Sequence, residues 1–205
     1  MSQSVRATSR RPPMPESRVA QTEFQVELFG GPRLFRGREE IPLSPHQSAF
    51  LAMVFSHETG VIRRKELASR LWPGDDPIKA RRRLNQLLYS LRKRVEGAQL
   101  VESDREEIRR SRSLVSTDID DLQEAFNAGS YQACIRLIKK GFASRALQRG
   151  HRSHTEWVEI RWAEILSGLR RRGEKRYHQY ASEEDWEAAQ AIAELRRRYA
   201  ERQEK

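Results

Sequence analysis

Residues 75–95 read Asp75-Asp76-Pro77-Ile78-Lys79-Ala80-Arg81-Arg82-Arg83-Leu84-Asn85-Gln86-Leu87-Leu88-Tyr89-Ser90-Leu91-Arg92-Lys93-Arg94-Val95, and this stretch decides the fold. At about 100° per residue, Leu84, Leu87, Leu88, Leu91 and Val95 fall in one narrow stripe that must face a core. The opposite side displays Lys79, Arg82, Gln86, Tyr89 and Lys93, with Arg83 and Ser90 on its flank. Seven Lys or Arg and no acid lie between positions 79 and 94. An apolar stripe alone makes an ordinary amphipathic helix, and a charge run alone is usually a solvated face. Here the outward set mixes cations with Gln, Ser and Tyr. Such a helix fits the major groove, where Arg and Gln pair with guanine or adenine edges and Lys holds phosphates. The competing reading of the same residues is a solvated face. Asp75 or Asp76 with Pro77 would set the helix N-terminus, with its free N–H groups, near a DNA backbone.

Upstream, Phe24, Val26 and Leu28 alternate with Gln25 and Glu27, a period-2 strand signal. Gly30-Gly31-Pro32 turns the chain into a second strand at 33–36, and residues 37–40 turn it into a third at 41–43. Ser44 before Pro45 then starts a helix bearing Phe50, Leu51, Val54 and Phe55. A second helix over 63–71 stops at Trp72-Pro73-Gly74. Downstream, Leu100, Val101, Ile108 and Leu114-Val115 look like short strands around a charged turn at 104–107. Arg105, Arg109, Arg110 and Arg112 would make this hairpin a basic wing. The order is strands, helix, helix, long basic helix, hairpin: an α+β winged helix-turn-helix domain over residues 24–116. Residues 1–23, with Arg10-Arg11-Pro12-Pro13, lack apolar bulk and are expected to be a disordered basic tail.

From residue 117 to 205 only helical patterns follow, over 119–128, 131–139, 155–181 and 183–202, with an irregular basic stretch at 141–153. Trp157, Ile160, Ile165, Leu166 and Leu169 supply one core stripe, and Trp186, Ala189, Ile192, Ala193 and Leu195 another. Helices with such faces pack antiparallel after short loops, so the second part is expected to be an all-α interaction domain.

Charge follows this division. Residues 24–116 carry 18 cations and 12 anions, net +6 of the chain's +10, whereas 117–205 carry 17 and 15. The polyanion-binding pull is concentrated where the groove-binding shape is expected. Protein contact, including a second copy of the chain, suits the helical part better. The single Cys134, among Ala133, Ile135 and Leu137, reads as a buried inert thiol. It forms no internal disulfide and joins no zinc-spaced set, so a reducing cytoplasm is expected, with no metal and no cofactor. No apolar run has membrane-span length. His151 and His154 lie three apart in a basic loop without companion ligands, a solvated pair. No phosphate-cradling Gly loop or nucleophile arrangement is present, so no catalytic residue is assigned and an enzyme is not expected.

The meander with Leu43-Ser44-Pro45-His46-Gln47 resembles the OmpR-type winged helix as found in SARP regulators, activators of bacterial biosynthetic clusters. So do 63–73, ending in Leu71-Trp72-Pro73, and 80–93, with its Leu-x-x-Leu-Arg pattern. The resemblance covers about residues 24–120. It implies a long helix in the major groove, a hairpin along the minor groove, and an activator of transcription in the bacterial nucleoid with RNA polymerase as a further partner. Where that family often has Gly-Tyr near the end of the wing, this chain has Arg112-Ser113-Leu114-Val115. Thr155-Glu156-Trp157-Val158-Glu159-Ile160-Arg161 and Asp185-Trp186-Glu187-Ala188-Ala189 resemble parts of the bacterial transcriptional activator domain, which is tetratricopeptide-like (TPR-like). The stretch is shorter than that domain usually is and ends where its repeats should continue, as in a truncated or minimal form.

The expected function is therefore sequence-specific recognition of double-stranded DNA. Lys79, Arg82, Arg83, Gln86, Tyr89, Ser90 and Lys93 lie on the recognition helix, and Arg63, Arg64, Arg109, Arg110 and Arg112 hold phosphates. The alternative is a protein-interaction adaptor in which the winged helix docks a protein partner. RNA binding is disfavoured because the aromatics fall at core positions and not on an exposed strand platform.

Overall fold

A computed structural model of the chain describes residues 23–143 and 152–182, together with 189–190, 192–194 and 197. Residues 1–22 of the expected tail at 1–23, most of the basic stretch at 141–153, His151, and the last helix beyond those few positions, with Trp186, lie outside the described residues. So do the side chains of His154 and Leu195.

The alternating apolar residues at the start form β1 (Phe24–Glu27), with Phe24 and Val26 buried. It pairs antiparallel with β2 (Arg33–Arg36), which pairs with β3 (Glu39–Ile41). The third strand starts two residues earlier than the sequence suggests, because Gly37, at φ +60°, closes the turn tightly. Ser44 caps α1 (Pro45–Phe55): its side chain accepts from Gln47 N–H, and the Gln47 side chain accepts from Ser44 N–H at 2.9 Å. Both orphan donors of the capping box are thereby satisfied. Every residue from Gln47 to Phe55 is buried, so α1 is the central helix of the core.

The link Val61–Arg63 is a strand, β4, and leads into α2 (Arg64–Leu71) and then α3 (Pro77–Arg94). Trp72, closing α2, stacks on His46 of α1 at 5.5 Å and 16°. β5 (Val101–Ser103) and β6 (Glu107–Arg110) form the expected hairpin, and β4 joins it as a three-stranded sheet in the order β4-β6-β5. Val115 does not extend this hairpin. It begins β7 (Val115–Thr117), which crosses to the first sheet and pairs in parallel with β1, giving the order β3-β2-β1-β7.

The expected boundary at 116/117 falls inside β7, and the chain runs directly into α4 (Asp118–Asn127), capped by Thr117. The Asp118 carboxylate accepts from Leu28 N–H at 2.9 Å and from Phe29 N–H at 2.7 Å, fastening the end of β1 to the start of α4. Gly129 and Gly141 follow the ends of α4 and α5 (Tyr131–Lys139), both with positive φ. Glycine adopts that region without a Cβ penalty.

The long helix is α6 (Arg152–Ser182). Its Trp162 ring packs against Phe29 at 5.8 Å and stacks on Phe142 at 6.0 Å, and Arg161 Nε donates to Ser56 C=O at 2.8 Å. The helical part is thus seated on the α+β part, and one apolar cluster runs through both. Leu166 and Leu169 are buried as expected, but Ile160 is 61% exposed and leaves the expected stripe. Ala189 and Ile192 are buried, whereas Ala193 is exposed. Cys134 is buried, its thiol pushed up to about 11 by that burial.

Candidate nucleic-acid interface

α3 is built as its periodicity demands. Asp76 caps it, accepting from Ile78 N–H at 2.8 Å and Lys79 N–H at 3.3 Å, with Pro77 at the first turn. Ala80, Leu84, Leu87 and Leu91 are buried on one side, and Val95 closes the stripe. That face packs on α2 and α1, so the other face is fixed outward. It presents Lys79, Arg82, Arg83, Gln86, Tyr89, Ser90 and Lys93, all exposed, and Tyr89 is 72% exposed.

These side chains differ in their engagement. Lys79 Nζ lies 3.0 Å from Asp75 Oδ1, and Arg83 Nη1 lies 2.8 Å from Asp75 Oδ2. Ser90 Oγ donates to Leu87 C=O at 2.8 Å and accepts from Gln47 Nε2 at 3.3 Å, which ties α3 to α1. Arg82, Gln86, Tyr89 and Lys93 have no side-chain hydrogen-bond or ion-pair partner among the described residues. They form a continuous row at i, i+4, i+7 and i+11.

The expected phosphate contacts need correction at two positions. Arg64 is buried, and its guanidinium donates to Ser103 Oγ and Asn85 Oδ1. It locks α2 to β5 and α3, and burial together with the neighbouring Arg81 draws its pKa below the ordinary value. Arg110 is part-buried, donating to Asp120 at 3.2 and 2.9 Å and to Phe55 C=O at 3.5 Å. Both arginines point inward and hold the protein together, so neither is available to phosphate.

Arg63 and Arg109 are exposed, the latter 3.1 Å from Glu107. Arg112 is exposed in the turn leading to β7, away from the hairpin tip. The tip itself is Asp104-Arg105-Glu106. Asp104 accepts from Glu106 N–H at 2.7 Å and Glu107 N–H at 2.8 Å, and these two bonds hold its carboxyl below the usual carboxylate range. The hairpin is consequently mixed in charge and not uniformly basic.

A feature missed in the sequence lies between α2, the start of α3 and this tip. Arg63, Lys65, Arg81 and Arg105 line a groove of about 1000 Å³, together with the acids Glu66, Asp75, Glu106 and Glu107 and with Ile78, which is 66% exposed. Arg81 is off the outward row by helical rotation, so periodicity gives no signal for it. The packing of α2 on α3 gathers Arg63, Lys65 and Arg81, and the approach of the hairpin tip adds Arg105. Among the described residues there is no group of His, Cys, Asp or Glu that could hold a metal ion. Nor is any helix there long and apolar enough to cross a membrane.

No family model matches the chain, and no curated protein matches its sequence. Among solved structures the chain is similar to Mycobacterium tuberculosis EmbR in complex with a low affinity phosphopeptide. The two are 17% identical, with a TM-score of 0.45, and the match covers 86% of this chain and 54% of that one. This chain therefore spans about half the length of that neighbour.

Proposed function

We propose that the chain is a sequence-specific DNA-binding transcription regulator of the SARP type, reading the major groove of duplex DNA with α3. The observation that carries this reading is the row Arg82, Gln86, Tyr89 and Lys93, exposed and without side-chain partners among the described residues, on a helix whose other face is locked in the core. Arg and Gln are the side chains that pair in bidentate fashion with guanine and adenine edges, and Lys supplies a phosphate contact. Lys79 and Arg83 extend the row toward the helix start. Arg63, Lys65, Arg81, Arg105 and Arg109 would flank it with phosphate contacts, which position the helix without reading sequence. The protein acts by binding and not by catalysis. The family resemblance points to an activator working in the nucleoid, with RNA polymerase and a second copy of the chain as candidate partners for the helical part.

A second reading, docking of a protein partner by the winged helix, is favoured by exposed Ile78 and Tyr89, since buried protein interfaces select aromatic and aliphatic anchors. Selection of binders from a pool of random 30-base-pair duplexes separates the two. The DNA reading predicts enrichment of one motif, and loss of binding when guanine N7 in that motif is methylated. An unenriched pool would remove it in favour of the adaptor.

A further inference from the structure

Among the described residues, Asp75 is the single acid that forms ion pairs with α3. It precedes the capping residue, and its side chain is only 16% exposed. Its backbone N–H donates to Trp72 C=O at 3.2 Å, and Trp72 is itself packed against the core, so the Asp75 backbone is held in the turn that leads into α3. Its two oxygens take two different cations of the outward face, Lys79 and Arg83.

We propose that Asp75 is a specificity-determining residue of the DNA-binding face: by holding Lys79 and Arg83 it suppresses the affinity that all duplexes share. The proposal rests on the DNA-binding reading above. A free cation on this face meets a phosphate on any sequence, and each such contact strengthens binding by roughly eightfold at 0.1 M salt, given about 0.9 log units per decade of salt. A carboxylate beside two of these cations offsets that general gain and repels phosphate. The O6 and N7 acceptors of guanine carry no net charge and meet less repulsion. Arg83 offers five N–H donors, and one of its terminal nitrogens faces Asp75. The remaining donors stay free for a base edge.

Asp75→Asn in the full chain tests this, since Asn is nearly isosteric and leaves the Asp76 cap in place. The two probes are the duplex most enriched by the wild type from the random pool and poly(dI-dC), both at 0.1 M NaCl. The variant is expected to bind poly(dI-dC) roughly five- to tenfold tighter, with a salt slope steeper by about one. Its preference for the enriched duplex should fall by a similar factor. Adding Lys79→Gln and Arg83→Gln to the variant should return poly(dI-dC) binding to the wild-type level or below. An unchanged preference overturns the role of Asp75, as does equal weakening on both duplexes, the signature of a residue that merely supports the fold. Wild-type binding with an unchanged preference overturns the Asp75 role alone. Absence of salt-sensitive duplex binding by the wild type overturns the function as well.

Discussion

Replacing Asp118 by Asn probes the joint between the two parts of the chain, and the expected effect has a definite sign. Asp118 is buried at the first turn of α4, and burial pushes its carboxyl up from 3.8 to about 7. The N–H groups of Phe29 and Leu28 oppose the rise, and the charges of Glu27 and Asp121 add to it. Because the folded value exceeds the unfolded one, the folded chain keeps a proton that the unfolded chain releases. The resulting stability is complete below about pH 4 and is lost as pH rises through about 7. The loss has a limiting slope of about 1.4 kcal/mol per pH unit, or on the order of 2–3 kcal/mol between pH 5 and 7. The amide introduced by Asp118→Asn retains an acceptor oxygen for Leu28 and Phe29 but does not titrate. Urea unfolding of both proteins from pH 5 to 8 gives the difference in stability, wild type minus Asp118→Asn, in which other titrations cancel. That difference should decline by about 2–3 kcal/mol across the window and level off above it. A flat difference would refute the reasoning, because the carboxyl would then titrate as an ordinary solvated acid.

Asp76→Ala removes the cap of α3, with its two contacts to Ile78 and Lys79 N–H, and should cost about 1 kcal/mol, read as a fall of roughly 2–4 °C in thermal midpoint. Gly60→Ala should cost about 1–2 kcal/mol in denaturant unfolding, because Gly60 sits at φ +72° and an added Cβ would lie 3.0 Å from Arg110 Cγ. Cys134 should resist a thiol reagent at pH 8 in the native protein and react at once in urea, since its thiol is buried and its pKa raised to about 11.

The helices are legible in the sequence because their signals are local. The Pro77 start, the Leu84 to Val95 stripe and the glycines after α4 and α5 fix those helices to within a residue or so. What escapes a sequence reading depends on contacts distant along the chain. β4 is three residues long, too short to show a period, and exists because β6 offers it a partner. β7 reads as part of the hairpin, yet it pairs in parallel with a strand some ninety residues earlier, and no local pattern encodes such pairing. Arg63 and Arg64 read as equivalent cations, although the turn into α2 sends Arg64 inward to Asn85 and Ser103. Asp118 resembles any acid in the first turn of a helix until the end of β1 closes over it. For the site, helical periodicity supplies the row on α3. It cannot supply the pairing of Lys79 and Arg83 with Asp75, nor the groove around Arg81.

The central claim is that the exposed row Arg82, Gln86, Tyr89 and Lys93 on α3 reads DNA sequence. It is tested most directly by duplex binding across a salt series from 50 to 400 mM, comparing the wild type with Arg82→Ala/Gln86→Ala on an enriched duplex and on poly(dI-dC). The account predicts tight, steeply salt-dependent binding by the wild type, and in the double variant a loss of preference of at least roughly 30-fold, from about 1–3 kcal/mol for each of the two lost bidentate contacts. Weak binding that is equal on both duplexes and indifferent to the two substitutions would contradict it.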